Sequence, residues 1–119
     1  MYYKKERGVS GECIASDYLE SLGYEILIRN FRCRQGEIDI IALDNNEYVF
    51  VEVKTRTSIE YGKASEAVDK TKKFHIIKAA EYFLYVRHLE NNFIRFDVIE
   101  VYLFNNISRI NHIKQAFEI

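Results

Sequence analysis

The chain has no proline, no glycine–serine tract and no internal repeat, so the usual marks of a linker or a second domain are missing. Its 119 residues are read as one domain, 1–119, with a single core. No apolar run reaches the roughly 20 residues of a membrane span, and no membrane partner is expected. Met1-Tyr2-Tyr3-Lys4-Lys5-Glu6-Arg7 leads into a polar stretch, not an apolar core, so no secretory signal is expected. The two cysteines, Cys13 and Cys33, lack metal-ligand spacing and read as reduced thiols of a cytoplasmic protein. His75, His88 and His112 are scattered and make no zinc pattern. They are expected to be structural or on the surface. A formal net charge of −1 excludes a chain that is basic as a whole.

Charge is nevertheless unevenly placed. Lys54, Arg56, Lys63, Lys70, Lys72, Lys73 and Lys78 crowd one stretch against Glu60, Glu66 and Asp69. Arg29, Arg32 and Arg34 make a second cluster. Such patches suit phosphate contacts, although lysine-rich helix faces are also commonly just solvated.

At about 100° per residue, Ile14, Ala15, Tyr18, Leu19 and Leu22 form one stripe, which predicts a helix over Ser10–Leu22 ending at Gly23. Glu12 falls at the margin of that stripe. Tyr24–Phe31 reads as extended and Arg32–Gly36 as a polar loop. Strands are expected over Glu37–Leu43 and Tyr48–Thr55, joined through Asp44-Asn45-Asn46. Thr57–Lys63 reads as a loop and Ser65–His88 as a long helix. Phe93–Phe104 is a strand of strong β-formers. His112–Phe117 is ambiguous between an edge strand and a short helix. The expected class is α/β, a mixed central sheet flanked by helices in the order α-β-β-β-α-β with a further edge strand left open. The crossover from the third strand through the long helix would be right-handed.

The chemistry gathers in the middle strands. Period-two alternation puts Glu37, Asp39 and Ile41 on one face, and Tyr48, Phe50, Glu52 and Lys54 on one face of the next strand. In a hairpin, Asp39 can lie beside Glu52 and Lys54, about 5 Å between Cβ atoms. A solvated outer face with a surface salt bridge would look the same. However, Val49, Val51 and Val53 make the second strand apolar on one face, and Tyr48 and Phe50 on the other. Acids on a buried strand need partners or a metal. Asp39 and Glu52 are suitable hard ligands for Mg²⁺ or Mn²⁺, with the Val53 carbonyl as a third and Glu12 reaching from the helix. Lys54 would orient the attacking water or steady the phosphate. Glu37 is a candidate further ligand but is rather expected to cap or pair with Arg34 or Arg29, and Asp97 to tether an arginine at the sheet edge. Gln35, Thr55 and Arg56 are candidates for backbone contact, and Tyr61 for stacking on a base.

Asp39 followed by Glu52-Val53-Lys54 resembles the PD-(D/E)xK signature of restriction-endonuclease-like nucleases. Glu12 on the first helix is similar to the acid that archaeal Holliday-junction resolvases of that superfamily carry. More of the chain resembles the YraN family. The matching blocks are Gly11-Glu12, Tyr18-Leu19-Glu20, Gly23-Tyr24-Glu25-Ile26-Leu27, Arg29-Asn30-Phe31-Arg32, Gly36-Glu37-Ile38-Asp39-Ile40-Ile41-Ala42, Val49 to Arg56, Glu66-Ala67-Val68, Arg95-Phe96-Asp97-Val98 and His112-Ile113. Two departures stand out: the residue two before Asp39 is Glu37, not part of a Pro-Asp pair, so the signature's literal letters are absent, and Tyr61–Ser65 lacks a proline common in the family. The resemblance implies a restriction-endonuclease-like fold, with Asp39 and Glu52 as metal ligands, Lys54 as the catalytic lysine and Glu12 as the auxiliary acid. The expected activity is Mg²⁺-dependent cleavage of phosphodiester bonds in branched or structured DNA, with a possible homodimer. The alternative is a nucleic-acid-binding protein that keeps the nuclease fold with little catalysis.

Overall fold

The structure, a computed structural model, describes residues 10–56, 69–105 and 107–119. The expected loop Thr57–Lys63, the first residues of the helix expected from Ser65, and Tyr61 lie outside the described residues.

The elements are α1 (Gly11–Ser21), β1 (Glu25–Cys33), β2 (Gly36–Asp44), β3 (Glu47–Arg56), α2 (Lys70–Val86), β4 (Phe93–Phe104) and β5 (Ile107–Phe117). One five-stranded sheet runs β1-β2-β3-β4-β5. The β1–β2, β2–β3 and β4–β5 pairs are antiparallel, and β3–β4 is parallel. A parallel pair needs a crossover, and α2 lies in the connection. The expected α/β class and element order hold.

Each helix covers one face of the sheet. Ile14, Ala15 and Leu19 of α1 pack on Ile40, Ala42, Val49, Val51, Ile99 and Val101. Ile76, Ala79, Ala80, Phe83 and Leu84 of α2 pack on Ile41, Phe50, Phe96 and Val98. The rings of Phe50 and Phe83 meet edge to face at 5.9 Å. Both helices carry an N-cap: Cys13 N–H donates to Ser10 Oγ at 3.1 Å, and Lys72 N–H to Asp69 Oδ1 at 2.8 Å.

The tail left open between strand and helix is a strand at the sheet edge, and it begins earlier, at Ile107, because pairing with β4 satisfies a segment whose own pattern is mixed. Three local expectations need correction. The polar stretch from Arg32 belongs mostly to strands, leaving Arg34–Gln35 as the turn. Exposed Arg32 and Glu37 pair across it at 3.2 Å, so Glu37 is held by Arg32 and not by Arg34 or Arg29. Asp97 does tether an arginine, but not at an edge, since β5 covers β4 and Asp97 is fully buried.

Candidate active site

The β2–β3 ladder runs from Asp44↔Glu47 to Ile40↔Val51 and goes no further. At the next position Asp39 takes over with its side chain: the Val53 N–H donates to Asp39 Oδ2 at 2.8 Å. Here β2 peels away from β3. Its neighbour Ile38 packs on the α2 side of the sheet while Ile40 packs on the α1 side, so the strict alternation expected for this strand breaks at Asp39. The tip of the β1–β2 hairpin then lies over α2. Phe31 meets Phe83 at 5.6 Å, and a Cβ on Gly36 would come within 2.8 Å of the His75 carbonyl.

This fork receives the expected site residues. Glu52 is buried, shares a hydrogen bond with Asp39 and pairs with Lys54 Nζ at 3.8 Å. Lys72 Nζ of α2 comes closer, 3.4 Å from the same carboxylate oxygen. Burial is the largest influence on Glu52, followed by the hydrogen bond and negative charge of Asp39. Together they outweigh both ammonium groups and push its pKa from 4.5 up to about 7. Glu12 approaches from α1. Its pKa is raised by partial burial and by Asp39, and lowered by Arg29, Asn30 and Arg32. Electrostatics thus link Glu12 to Asp39, and hydrogen bonding links Asp39 to Glu52. Among the described residues, however, no three His, Cys, Asp or Glu side chains converge closely enough to hold a metal by themselves. The Val53 carbonyl, expected as a ligand, belongs to the residue whose N–H is engaged by Asp39.

Two participants lie outside the expected set. In the sequence Lys72 is only one lysine of a basic stretch. Glu100 carries a signal of its own, since an acid inside Val98-Ile99-Glu100-Val101 needs a partner if the strand is buried. It lies beside Lys54 in the parallel register and is 1% exposed. Asn111 Nδ2 donates to it at 2.9 Å, and Arg56 pairs with it at 3.5 Å. Among the described residues, the buried Arg56 Nε has no hydrogen-bond partner. Arg56, expected as a backbone contact, is therefore anchored at the end of β3, next to the acids.

The histidines fall as expected. His75 and His88 are exposed, and His112 is structural, with Nε2 2.7 Å from Asp97 Oδ2 and Nδ1 3.0 Å from the Tyr18 hydroxyl.

Residues 11–101 match the family described as Uncharacterised protein family UPF0102. This chain belongs to UPF0102, the YraN family. Its UPF0102 relatives include a protein of Caldicellulosiruptor saccharolyticus, 52% identical over 116 residues that cover 96% of this chain and 98% of that one. Another, from Caldanaerobacter subterraneus, is 49% identical over 117 residues and 96% of both chains. A third, from Clostridium botulinum, is 50% identical over 121 residues, 99% of this chain and 98% of that one. The UPF0102 match takes in Glu12, Asp39, Glu52, Lys54, Lys72 and Glu100 together.

Proposed function

We propose that this UPF0102 protein is a metal-dependent nuclease acting on phosphodiester bonds in branched or otherwise structured DNA. The observation that carries the reading is the contact between Asp39 and Glu52 at a strand fork, flanked by Lys54 and Lys72. Two carboxylates that share a hydrogen bond and repel one another are poised to share a cation instead. The donor set fits Mg²⁺ or Mn²⁺, which take hard oxygens and retain waters. Asp39 and Glu52 would hold the ion, with the Val53 carbonyl and water completing its shell and Glu12 reaching it directly or through water. When bound, such an ion supplies charge stabilisation on the phosphate and acidifies a water. Lys54 orients that water or steadies the phosphate, and Lys72 supplies a second positive charge at the same carboxylate. Arg56, anchored on Glu100, lies beyond Lys54 on the same strand, suited to a neighbouring phosphate.

The site lies in the carboxyl half of β3, one of the two parallel strands, where ligand crevices of α/β sheets form. No described helix is long and apolar enough to cross a membrane. Free Cys13 and Cys33 suit the reducing cytoplasm, which we propose as the compartment. The proposed homodimer would use β5, at one edge of the sheet.

One observation favours the second reading, a nucleic-acid-binding protein with little catalysis. Among the described residues the acids do not close into a three-residue set, and two lysines already offset Glu52. Linear, nicked, flap and four-way DNA incubated with Mg²⁺ or Mn²⁺ separates the readings. Nuclease action predicts cleavage only with metal, reduced at least a hundredfold in Asp39→Ala and in Lys54→Ala, with unchanged circular dichroism. Salt-dependent binding without cleavage in either metal selects the second reading.

A further inference from the structure

Asn30 sits in the interior of β1 with φ 55°. That left-handed conformation is uncommon for any residue with a β-carbon, and asparagine tolerates it better than most. The pairs Arg29↔Ile40 and Phe31↔Ile38 place Asn30 directly across from Asp39. At this position both strands exchange faces. Ile40 packs on the α1 side and Ile38 on the α2 side. On β1, Arg29 Nη2 donates to Cys13 Sγ of α1 at 3.2 Å, whereas Phe31 meets Phe83 of α2. Residues two apart on a regular strand share a face. The reversal on both strands coincides with the left-handed residue. The side chain of Asn30 also acts on the Glu12 carboxylate of α1, favouring its charged form.

We propose that Asn30 is a positioning residue of the acid cluster. Its left-handed backbone turns the hairpin so that Asp39 leaves the ladder towards Glu52, and its amide holds Glu12 beside them. The proposal rests on the metal-site reading above. It explains why a side chain occupies a position where glycine would be easier. The backbone requirement and the amide requirement fall on one residue, and asparagine meets both.

Glycine separates the two requirements, because it satisfies the backbone and deletes the amide. Alanine fails both. The experiment measures Mn²⁺ affinity of the full chain by isothermal titration calorimetry and thermal unfolding by circular dichroism. The proteins are wild type, Asp39→Ala, Asn30→Gly and Asn30→Ala. Wild type is expected to bind Mn²⁺ and Asp39→Ala to lose binding. Asn30→Gly should unfold close to the wild-type temperature yet bind Mn²⁺ about tenfold more weakly, the loss typical when a partner that orients a metal ligand is removed. Asn30→Ala should unfold at a lower temperature than Asn30→Gly. If Asn30→Gly binds Mn²⁺ as wild type does, or does not fold, the proposal is overturned while the metal site stands. Equal stability of the alanine and glycine variants removes the backbone half and overturns the proposal as stated. A wild-type protein that binds no Mn²⁺ overturns the metal-site reading, and the assignment of Asn30 falls with it.

Discussion

Glu52 is 4% exposed, with a carboxylate in contact on one side and two ammonium groups on the other. Its pKa of about 7, against an ordinary 4.5, ties this residue to the stability of the whole chain. The folded protein keeps the proton to higher pH than the unfolded chain does. The resulting stability is fully present below about pH 4.5 and is lost as pH rises through about 7. At about 1.4 kcal/mol per unit, the loss is on the order of 3 kcal/mol. In EDTA, the urea midpoint should therefore fall between pH 5 and pH 8. Glu52→Gln should flatten that fall and exceed wild type at pH 8. A wild-type midpoint that stays constant or rises over this range contradicts the burial and repulsion assigned to Glu52. Adding Mg²⁺ at pH 8 should raise the wild-type midpoint, because a ligand that binds only the folded state stabilises it by mass action. It should leave Glu52→Gln nearly unmoved.

At the scale of elements, the site depends on how closely α1 approaches β3. Gly11 lies against Thr55, and a β-carbon on Gly11 would overlap Thr55 Oγ1. Gly11→Ala should therefore lift the first turn of α1, carrying Glu12 with it, at a cost of about 1–3 kcal/mol. Thermal unfolding of Gly11→Ala checks this, and adding Thr55→Ala should recover much of the loss. An alanine variant as stable as wild type would show that α1 does not seat this tightly. The elements themselves were largely legible in the sequence. Ser10–Leu22 and Phe93–Phe104 carry strong local periodicity, and Asn45-Asn46 mark the turn, so α1, β2, β3 and β4 fall close to their expected places. The β5 sequence Ile-Ser-Arg-Ile-Asn-His-Ile mixes polar and apolar residues. Its half-buried His112 is held by Asp97 and by Tyr18, which is far away in the chain, and a local pattern does not reveal that. The candidate site divides on the same line. Asp39, Glu52 and Lys54 follow from period two and one short turn. Lys72 and Glu100 arrive only through the helix crossover and the parallel register, and the face reversal at Asn30 and Asp39 has no period to announce it.

For the whole molecule, a second set of charges lies on the α1 side, in the amino half of β4. Fully buried Asp97 accepts from Arg95 Nε at 2.8 Å and from the Gln115 N–H at 3.0 Å, with His112 Nε2 at 2.7 Å. Arg95 also donates to the Tyr24 hydroxyl at 2.7 Å, Glu47 at 3.0 Å and Asp44 at 3.3 Å. Through His112 the network reaches Tyr18 of α1. It thus joins α1, the entry to β1, the β2–β3 turn, β4 and β5, and contains none of the proposed metal ligands. Burial alone would raise the pKa of Asp97. The hydrogen bonds from His112, Arg95 and the Gln115 amide outweigh it and hold the carboxyl below its ordinary range. The sign is opposite to that of Glu52. Stability from Asp97 is present above about pH 4, the ordinary aspartate range, and is lost as pH falls through the lower folded value. Asp97→Ala should cost about 3–5 kcal/mol, because it leaves Arg95 buried without its closest counter-charge. Asp97→Asn keeps the shape and should cost less, which allows measurement even if the alanine variant does not fold. In urea titrations from pH 5 to pH 3, wild type should lose more stability than Asp97→Asn. Because the network spans so many elements, amide exchange in Asp97→Asn should quicken together in α1, β4 and β5. Exchange that quickens only near residue 97 would mean that these charges pack one strand and do not hold the two ends of the chain together.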